Sequence, residues 1–440
     1  MRDSATRRTT TALLMGLAGC LVQVPAWAGS PASGTLNSGD TAWLLTATTL
    51  VLFMTLPGLA AFYAGLVRSR NALSILIQCF AICCVVSLLW FAGAYGLIFG
   101  NGGPVQGFIG SLDGVGFSGV GRDALRGSTP ELAFSMFQLT FAIITPALII
   151  GAVAERVRFS ALLLFSALWF LLVYVPVCHW VWGGGWLAQL GVLDFAGGIV
   201  VHVNAGAAAL VAALFIGKRK GFPHVAMPPH SMPLTVLGAG MLWVGWFGFN
   251  GGSALTAGGQ AAMALWVTQL GAATGALTWM TLEWIRYGKP SVLGIVTGMV
   301  AGLGTITPAS GFVGPAGAVI IGFAAGLGCF FATQLLKRVL HIDDSLDVSP
   351  VHGVGGIIGT VLTGVFVSAS LGGIGYAPGM GMLHQVGIQL LGVAATAAWC
   401  GLVTWLLLKL IDAMVGVRVS EEQEREGLDL ALHGERAYSE

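Results

Sequence analysis

From residue 40 onward the chain repeats one pattern: an apolar run of bilayer-spanning length, a short connection, then another run. Crossing a hydrocarbon core about 30 Å thick takes about 20 apolar residues of helix. Lipid gives backbone polar groups no partners, so only helices and closed barrels can span it. These runs do not alternate apolar with polar residues, so they read as helices. They fall at 42–66, 72–99, 131–154, 159–181, 196–217, 231–252, 260–285, 291–308, 312–336, 348–371 and 384–411. Only 9% of residues are charged and 56% are hydrophobic, whereas a soluble domain carries about 25% charge. The pattern predicts an all-α polytopic membrane protein with eleven transmembrane helices. A net charge of +1 gives no basis for a nucleic-acid partner.

The first 28 residues read as a cleaved signal peptide. Arg2, Arg7 and Arg8 form a basic start, Ala12 to Val24 an apolar segment too short to span, and Ala26-Trp27-Ala28 a small-residue cleavage site. Leu17-Ala18-Gly19-Cys20 is an alternative, lipoprotein-like processing site. Either one puts the mature N-terminus outside the cytoplasm. The membrane domain then covers 29–414 and a tail covers 415–440. Connections 67–71, 155–158, 218–230, 286–290 and 337–347 carry Arg68, Arg70, Arg156, Arg158, Lys218, Arg219, Lys220, Arg286, Lys289, Lys337 and Arg338. The opposite connections carry only Arg122 and Arg126. Basic residues mark the cytoplasmic side, so the expected topology is N-out, C-in.

Two stretches place a lone His in a Gly-rich apolar span: Asp194–Asn204 (DFAGGIVVHVN) and Asp347–Gly356 (DVSPVHGVGG). They lie in the fifth and tenth spans, an odd number of positions apart, so the halves run in opposite directions. That arrangement suggests an inverted five-helix repeat plus a final helix, with His202 and His352 meeting near the midplane. The plain alternative is two unrelated core histidines. Neutral imidazoles can share one N–H···N bond and still offer one donor and one acceptor. A metal needs three or four ligands, and the remaining His and Cys residues lack the spacing. Asp194 reads as a helix N-cap, as an anion that favours a cation at the entrance, or as both. Asp347 reads as the second cap, with Ser349 as competitor. The seven cysteines read as buried inert thiols. Aromatics gather in Phe137-Gln138-Leu139-Thr140-Phe141, at Trp182, and in Trp246-Phe247-Gly248-Phe249-Asn250-Gly251-Gly252-Ser253. Such residues usually serve as core or interfacial belt, but an aromatic face can also hold a small cation.

Together these residues resemble the Amt/Mep/Rh ammonium transporters, in the bacterial Amt branch. The likeness runs from about Asp40 to Tyr438. It is carried by Phe137–Arg158 (FQLTFAIITPALIIGAVAERVR), Asp194–Asn204, Gly245–Ser253 (GWFGFNGGS), Ile306–Val313 (ITPASGFV) and Asp347–Gly356. The resemblance implies a homotrimer with one pore per subunit and no cofactor. It makes Phe141, Trp182 and Ser253 an outer site for ammonium or methylammonium, and Phe141 with Phe249 a stacked gate. It makes His202 and His352 twin pore histidines and Asp194 a structural acid near the entrance. It also implies that a PII-type signalling protein docks at the tail.

Physical chemistry fits that expectation. Stripping water from ammonium in an apolar pore would cost tens of kcal/mol by Born estimates, whereas neutral ammonia passes cheaply. Potassium has no proton to lose and should be excluded. The competing reading is an ammonium sensor that signals through its tail; a tail as short as Val415–Glu440 favours transport with regulation. An enzyme is the least favoured reading, since no nucleophile–base pair or metal motif is evident.

Overall fold

The structure is a computed structural model that describes residues 34–439. The predicted signal segment, with both candidate processing positions, lies outside them. Helical rods follow in order: α1 (Ser38–Leu66), α2 (Ser69–Phe99), α3 (Glu131–Val153), α4 (Phe159–Gln189), α5 (Gly198–Ile216) and α6 (Met232–Gly251). Then come α7 (Gly259–Tyr287), α8 (Val292–Ala309), α9 (Pro315–Val339), α10 (Ser349–Phe366) and α11 (Met382–Val415). Among the described residues, the ten rods other than α7 are long and apolar enough to cross a membrane. Helix α7 has 29 residues, ample for a crossing, but Gln260, Gln269, Glu283 and Arg286 dilute its apolar character. It packs most extensively on α8 and α9.

The rods are not uniform. Pro57 sits in a wide turn of α1 at Met54–Leu59, where its missing N–H removes a helix bond. The first turns of α5 (Gly198–Val203) and α10 (Ser349–Val354) are likewise wide, π-type turns, a form often found at functional positions. Large apolar side chains cover the outside of the bundle, including Leu88 at 70% exposure and Leu383 at 89%. In water so broad an apolar surface would be a liability; in lipid it is the expected exterior. Cys79, Cys178, Cys329 and Cys400 are buried as expected, but Cys83 is half-buried and Cys84 exposed, because α2 turns part of its surface outward.

At one end, the 100–130 connection folds over the bundle. Its hairpin, β1 (Leu125–Arg126) with β2 (Thr129–Pro130), sets the Arg126 guanidinium 5.1 Å from the Phe99 ring and 4.6 Å from Phe134. At the opposite end, four connections meet around charge. Glu155 binds Arg68 at 2.8 Å and Arg219 at 3.1 Å, and Asp343 binds Arg219 at 2.8 Å. Arg156 is fully buried. Its guanidinium donates to the carbonyls of Ala152, Ala154, Asp343 and Gly217 and to the Ser345 hydroxyl. It therefore acts as an internal crosslink, a role that its place among the basic connection residues did not disclose. Burial pushes the Glu155 carboxyl up, but Arg219 and Arg68 more than reverse this and hold it below its ordinary value.

The tail lies on this same end. Val417 and Val419 pair with the backbones of Arg158 and Arg156. Short helix α12 (Glu421–Glu426) starts with a reciprocal Ser420–Gln423 cap, and Glu424 accepts from the Lys220 backbone N–H. In α13 (Leu428–His433) the Asp429 carboxylate accepts from the N–H groups of Leu73 and Ser74, at 3.0 and 2.7 Å. A tail side chain thus caps the first α-turn of α2.

Candidate functional site

The site is assembled from the starts of α5 and α10. Asp194 stands just before α5, and its carboxylate accepts four backbone bonds, from Gly197, Gly198, Ile199 and Val200, at 2.8, 2.6, 2.8 and 3.1 Å. Gly197 has φ +116°, a conformation open to glycine but strained for other residues. The N-cap reading of Asp194 therefore describes its geometry. At α10 the cap is Asp344, which accepts from Val348 at 3.0 Å and Ser349 at 2.6 Å. Asp347, expected in that role, instead pairs with Lys337 at 2.7 Å. Its φ of +61° places it in the turn between the acid and the helix. The correction exposes a closer symmetry: each capping acid precedes its histidine by eight residues, 194 to 202 and 344 to 352.

Glycines let the two starts touch. A Cβ at Gly206 would run into the Gly353 backbone, and one at Gly356 would lie 2.9 Å from the His202 Cβ. Helices α5 and α10 therefore cross in direct backbone contact beside the histidines. His202 Nδ1 lies 3.2 Å from His352 Nδ1. The ring centroids are 5.2 Å apart, with planes 16° from parallel. Both rings are buried. One imidazole donates through Nδ1 and the other accepts, so the pair presents one further donor and one further acceptor at its Nε2 atoms. His202 Nε2 is buried and has no partner among the described residues. It faces a cavity walled by apolar side chains, among them Ile144, Leu148, Val201, Leu242 and Val300.

Above the pair runs a column of rings. His202 stacks on Trp246 at 5.6 Å, 18° from parallel, and lies 6.2 Å from Phe249. Phe249 meets Phe141 at 4.2 Å, and Phe141 meets Trp182 edge-on at 5.6 Å. Phe141 and Phe249 are fully buried, at 1% and 0% exposure, so nothing passes between them unless they move. Trp182 is half-buried, and its indole N–H donates to the Asp194 carbonyl at 2.8 Å. One residue therefore caps α5 through its carboxylate and orients Trp182 through its backbone. Ser253 donates to the Phe249 carbonyl at 2.8 Å. Its neighbour Gly252 packs on Phe137, which stands edge-on to Phe141 at 5.0 Å.

The six residues Phe141, Trp182, Ser253, Phe249, His202 and His352, together with Asp194, thus form one continuous chain of contacts. Sequence reading missed Asp344, which Asp343 and Asp347 mask, and the aliphatic lining, which nothing distinguishes from core.

The Ammonium Transporter Family model matches residues 42–438. The chain is 47% identical to an ammonium transporter of Aquifex aeolicus over 431 residues, 97% of this chain and 99% of the relative. It is 45% identical to the Bacillus subtilis ammonium transporter over 409 residues, 92% of this chain and 100% of the relative. Among solved structures, Saccharomyces cerevisiae Mep2 is similar at TM-score 0.78 and 38% identity, covering 88% of this chain and 92% of that one. A structure titled Sensor Amt Protein is similar at TM-score 0.83 and 31% identity, covering 90% and 98%.

Proposed function

This chain belongs to the ammonium transporter family, a membrane transporter and not an enzyme, and from that premise we propose how its path works. Ammonium settles against Phe141, Trp182 and Ser253, where ring faces and a hydroxyl oxygen offer a cation partial compensation for its lost water. It gives up its proton to solvent water at the outer entrance, before the Phe141–Phe249 gate. Neutral ammonia then passes the rings and is handed along the Nε2 positions of His202 and His352. Asp194 supports the entrance as a fixed acid whose charge the four N–H groups hold in place. The observation that carries this reading is the unbroken column Trp182–Phe141–Phe249–His202, which ends on a histidine pair beside an apolar cavity.

The remaining features follow the same reading. The paired Asp–His starts of α5 and α10 support an inverted repeat, with α11 as the final helix and α7 as the eleventh span. The basic connections and the docked tail support a cytoplasmic C-terminus, with the mature N-terminus periplasmic and the protein in the inner membrane. Three subunits each carry a pore, and the face around the tail takes a PII-type protein whose loop plugs it. A pull-down from ammonium-shocked cells checks that partner; no association in any nitrogen state leaves the tail as packing only. The likeness to the structure titled Sensor Amt Protein favours a second reading, in which the site binds ammonium and the protein signals through its cytoplasmic tail.

The deciding measurement is uptake of methylammonium and ammonium by liposomes holding the purified protein, with potassium as competitor. Transport predicts saturable ammonium flux and no potassium flux. Binding without flux would select the sensor, and potassium flux would overturn the gate and histidine mechanism.

A further inference from the structure

Helix α8 carries glycines at 294, 298, 302 and 304. The first three are four residues apart, so they share one face, and that face meets α7. A Cβ at Gly294 would run into the Glu283 carboxylate. One at Gly298 would meet the Trp279 side chain and the Gly275 carbonyl, and one at Gly302 the Gly271 carbonyl. These three glycines let α7 and α8 pack at close range.

Gly304 breaks the spacing. It lies two residues past Gly302, about 200° further round the helix. It shares a face with Val300, one turn earlier, and Val300 lines the cavity beside the histidines. Gly304 is buried and its backbone is ordinary α-helix. A Cβ there would have as its three nearest neighbours His202 Nε2, His202 Cε1 and His352 Nδ1, each at 3.8 Å, an ordinary van der Waals contact. Neither conformation nor helix packing therefore calls for glycine at 304, and a helix interior favours alanine over glycine.

What a methyl at 304 would change is the space beside His202 Nε2, a buried polar atom with no partner among the described residues. A close-packed interior does not yield to give that room back. An amine hydrogen-bonded to Nε2 puts its nitrogen about 3 Å away. Ammonia ends there, whereas methylamine carries a methyl that needs the space beyond. We propose that Gly304 sets the bore of the path at the histidine pair and so determines how large a neutral amine passes it. The inference rests on the reading that this pair lines the conducting path.

The test compares ammonium and methylammonium flux in liposomes holding purified wild type, Gly304→Ala or Gly302→Ala, with thermal unfolding of each protein in detergent. Gly304→Ala should unfold at no lower temperature than wild type, whereas Gly302→Ala should lose stability. The ratio of ammonium to methylammonium flux should rise about tenfold in Gly304→Ala, the discrimination that one methyl group gives in a tight apolar site. The change should appear in the saturated rate and leave the half-saturating ammonium concentration as in wild type, because residue 304 does not touch the outer site. Wild-type fluxes of both amines in Gly304→Ala, or an equal fall in both, would overturn the assignment. A loss of stability matching that of Gly302→Ala would overturn it too, by making Gly304 one more packing glycine. Absence of ammonium flux in wild type itself would overturn the transport reading, and this inference with it.

Discussion

His202 and His352 face each other through their Nδ1 atoms at 3.2 Å, so the two rings hold one proton between them. Each ring's tautomer is then set by the other. Replacing His352 with Ala leaves the remaining imidazole without its partner in a dry site, at a cost of about 1–3 kcal/mol. Replacing His202 with Asp puts an ionisable acid where wild type has only neutral groups. Flux through liposomes should show potassium passing His202→Asp and not wild type, and slower ammonium passage through His352→Ala. Should all three proteins conduct ammonium alike and exclude potassium, the histidines are packing residues, and selectivity moves to Phe141 and Phe249.

The capping acids should rank by the bonds they accept. Asp194 accepts from four N–H groups and Asp344 from two. A lost cap costs about 0.5–2 kcal/mol, and buried donors left without any acceptor add to that. Thermal unfolding in detergent should therefore order the proteins Asp194→Ala, then Asp344→Ala, then wild type, from least to most stable. Asp194→Asn, which keeps one side-chain oxygen, should fall between Asp194→Ala and wild type. An Asp194→Ala protein as stable as wild type would remove the cap as the reason for the acid.

Those two acids also show what the sequence discloses. Apolar run length located the helices, because lipid leaves the backbone no other choice. Gly-rich spans with a lone histidine marked two residues that the fold brings into contact, because a dry imidazole is costly and so is rarely placed idly. Sequence could not choose among Asp343, Asp344 and Asp347, since one turn decides which carboxylate reaches the helix start. The structure uses each differently: an ion pair with Arg219, a cap, and an ion pair with Lys337. Arg156 shows a related limit. A basic residue between two spans reads as surface charge, and only the fold shows five internal acceptors around it. Wide turns at Gly198–Val203 and Ser349–Val354 leave no periodic trace in stretches that are apolar on every side.

Docking of the tail should depend on Asp429. Its carboxylate is the acceptor for Leu73 and Ser74 at the start of α2, and Leu428 N–H donates to Asn71 at 2.9 Å. With Asp429→Ala, hydrogen exchange should quicken both in α13 and at Leu73 and Ser74, while amides near Asp194 stay protected. A loss of about 0.5–2 kcal/mol corresponds to roughly two- to thirtyfold faster local exchange. Unchanged protection at Leu73 and Ser74 would show that the tail rests on its other contacts alone.

Acid should act on this end of the bundle through Glu155. Its side chain is 1% exposed between Arg68 and Arg219, and those arginines hold its carboxyl below the ordinary value despite burial. A depressed folded value means the unfolded chain takes up its proton first as pH falls. The stabilisation is therefore complete above the unfolded value of about 4.3 and disappears as pH drops through the lower folded one. Glu155→Gln removes the charge at every pH and leaves Arg68 without its ion-pair partner, while Arg219 keeps Asp343; a broken buried pair costs about 3–5 kcal/mol. Unfolding temperatures measured from pH 7.5 down to 3.5 should show a constant deficit for Glu155→Gln until roughly pH 5. Below that the deficit should shrink, because wild type loses what the variant never had, while Asp343 titrates in both proteins and largely cancels. A deficit that stays constant to the lowest pH, or widens, would mean that Glu155 acts through packing and hydrogen bonds and not through its charge.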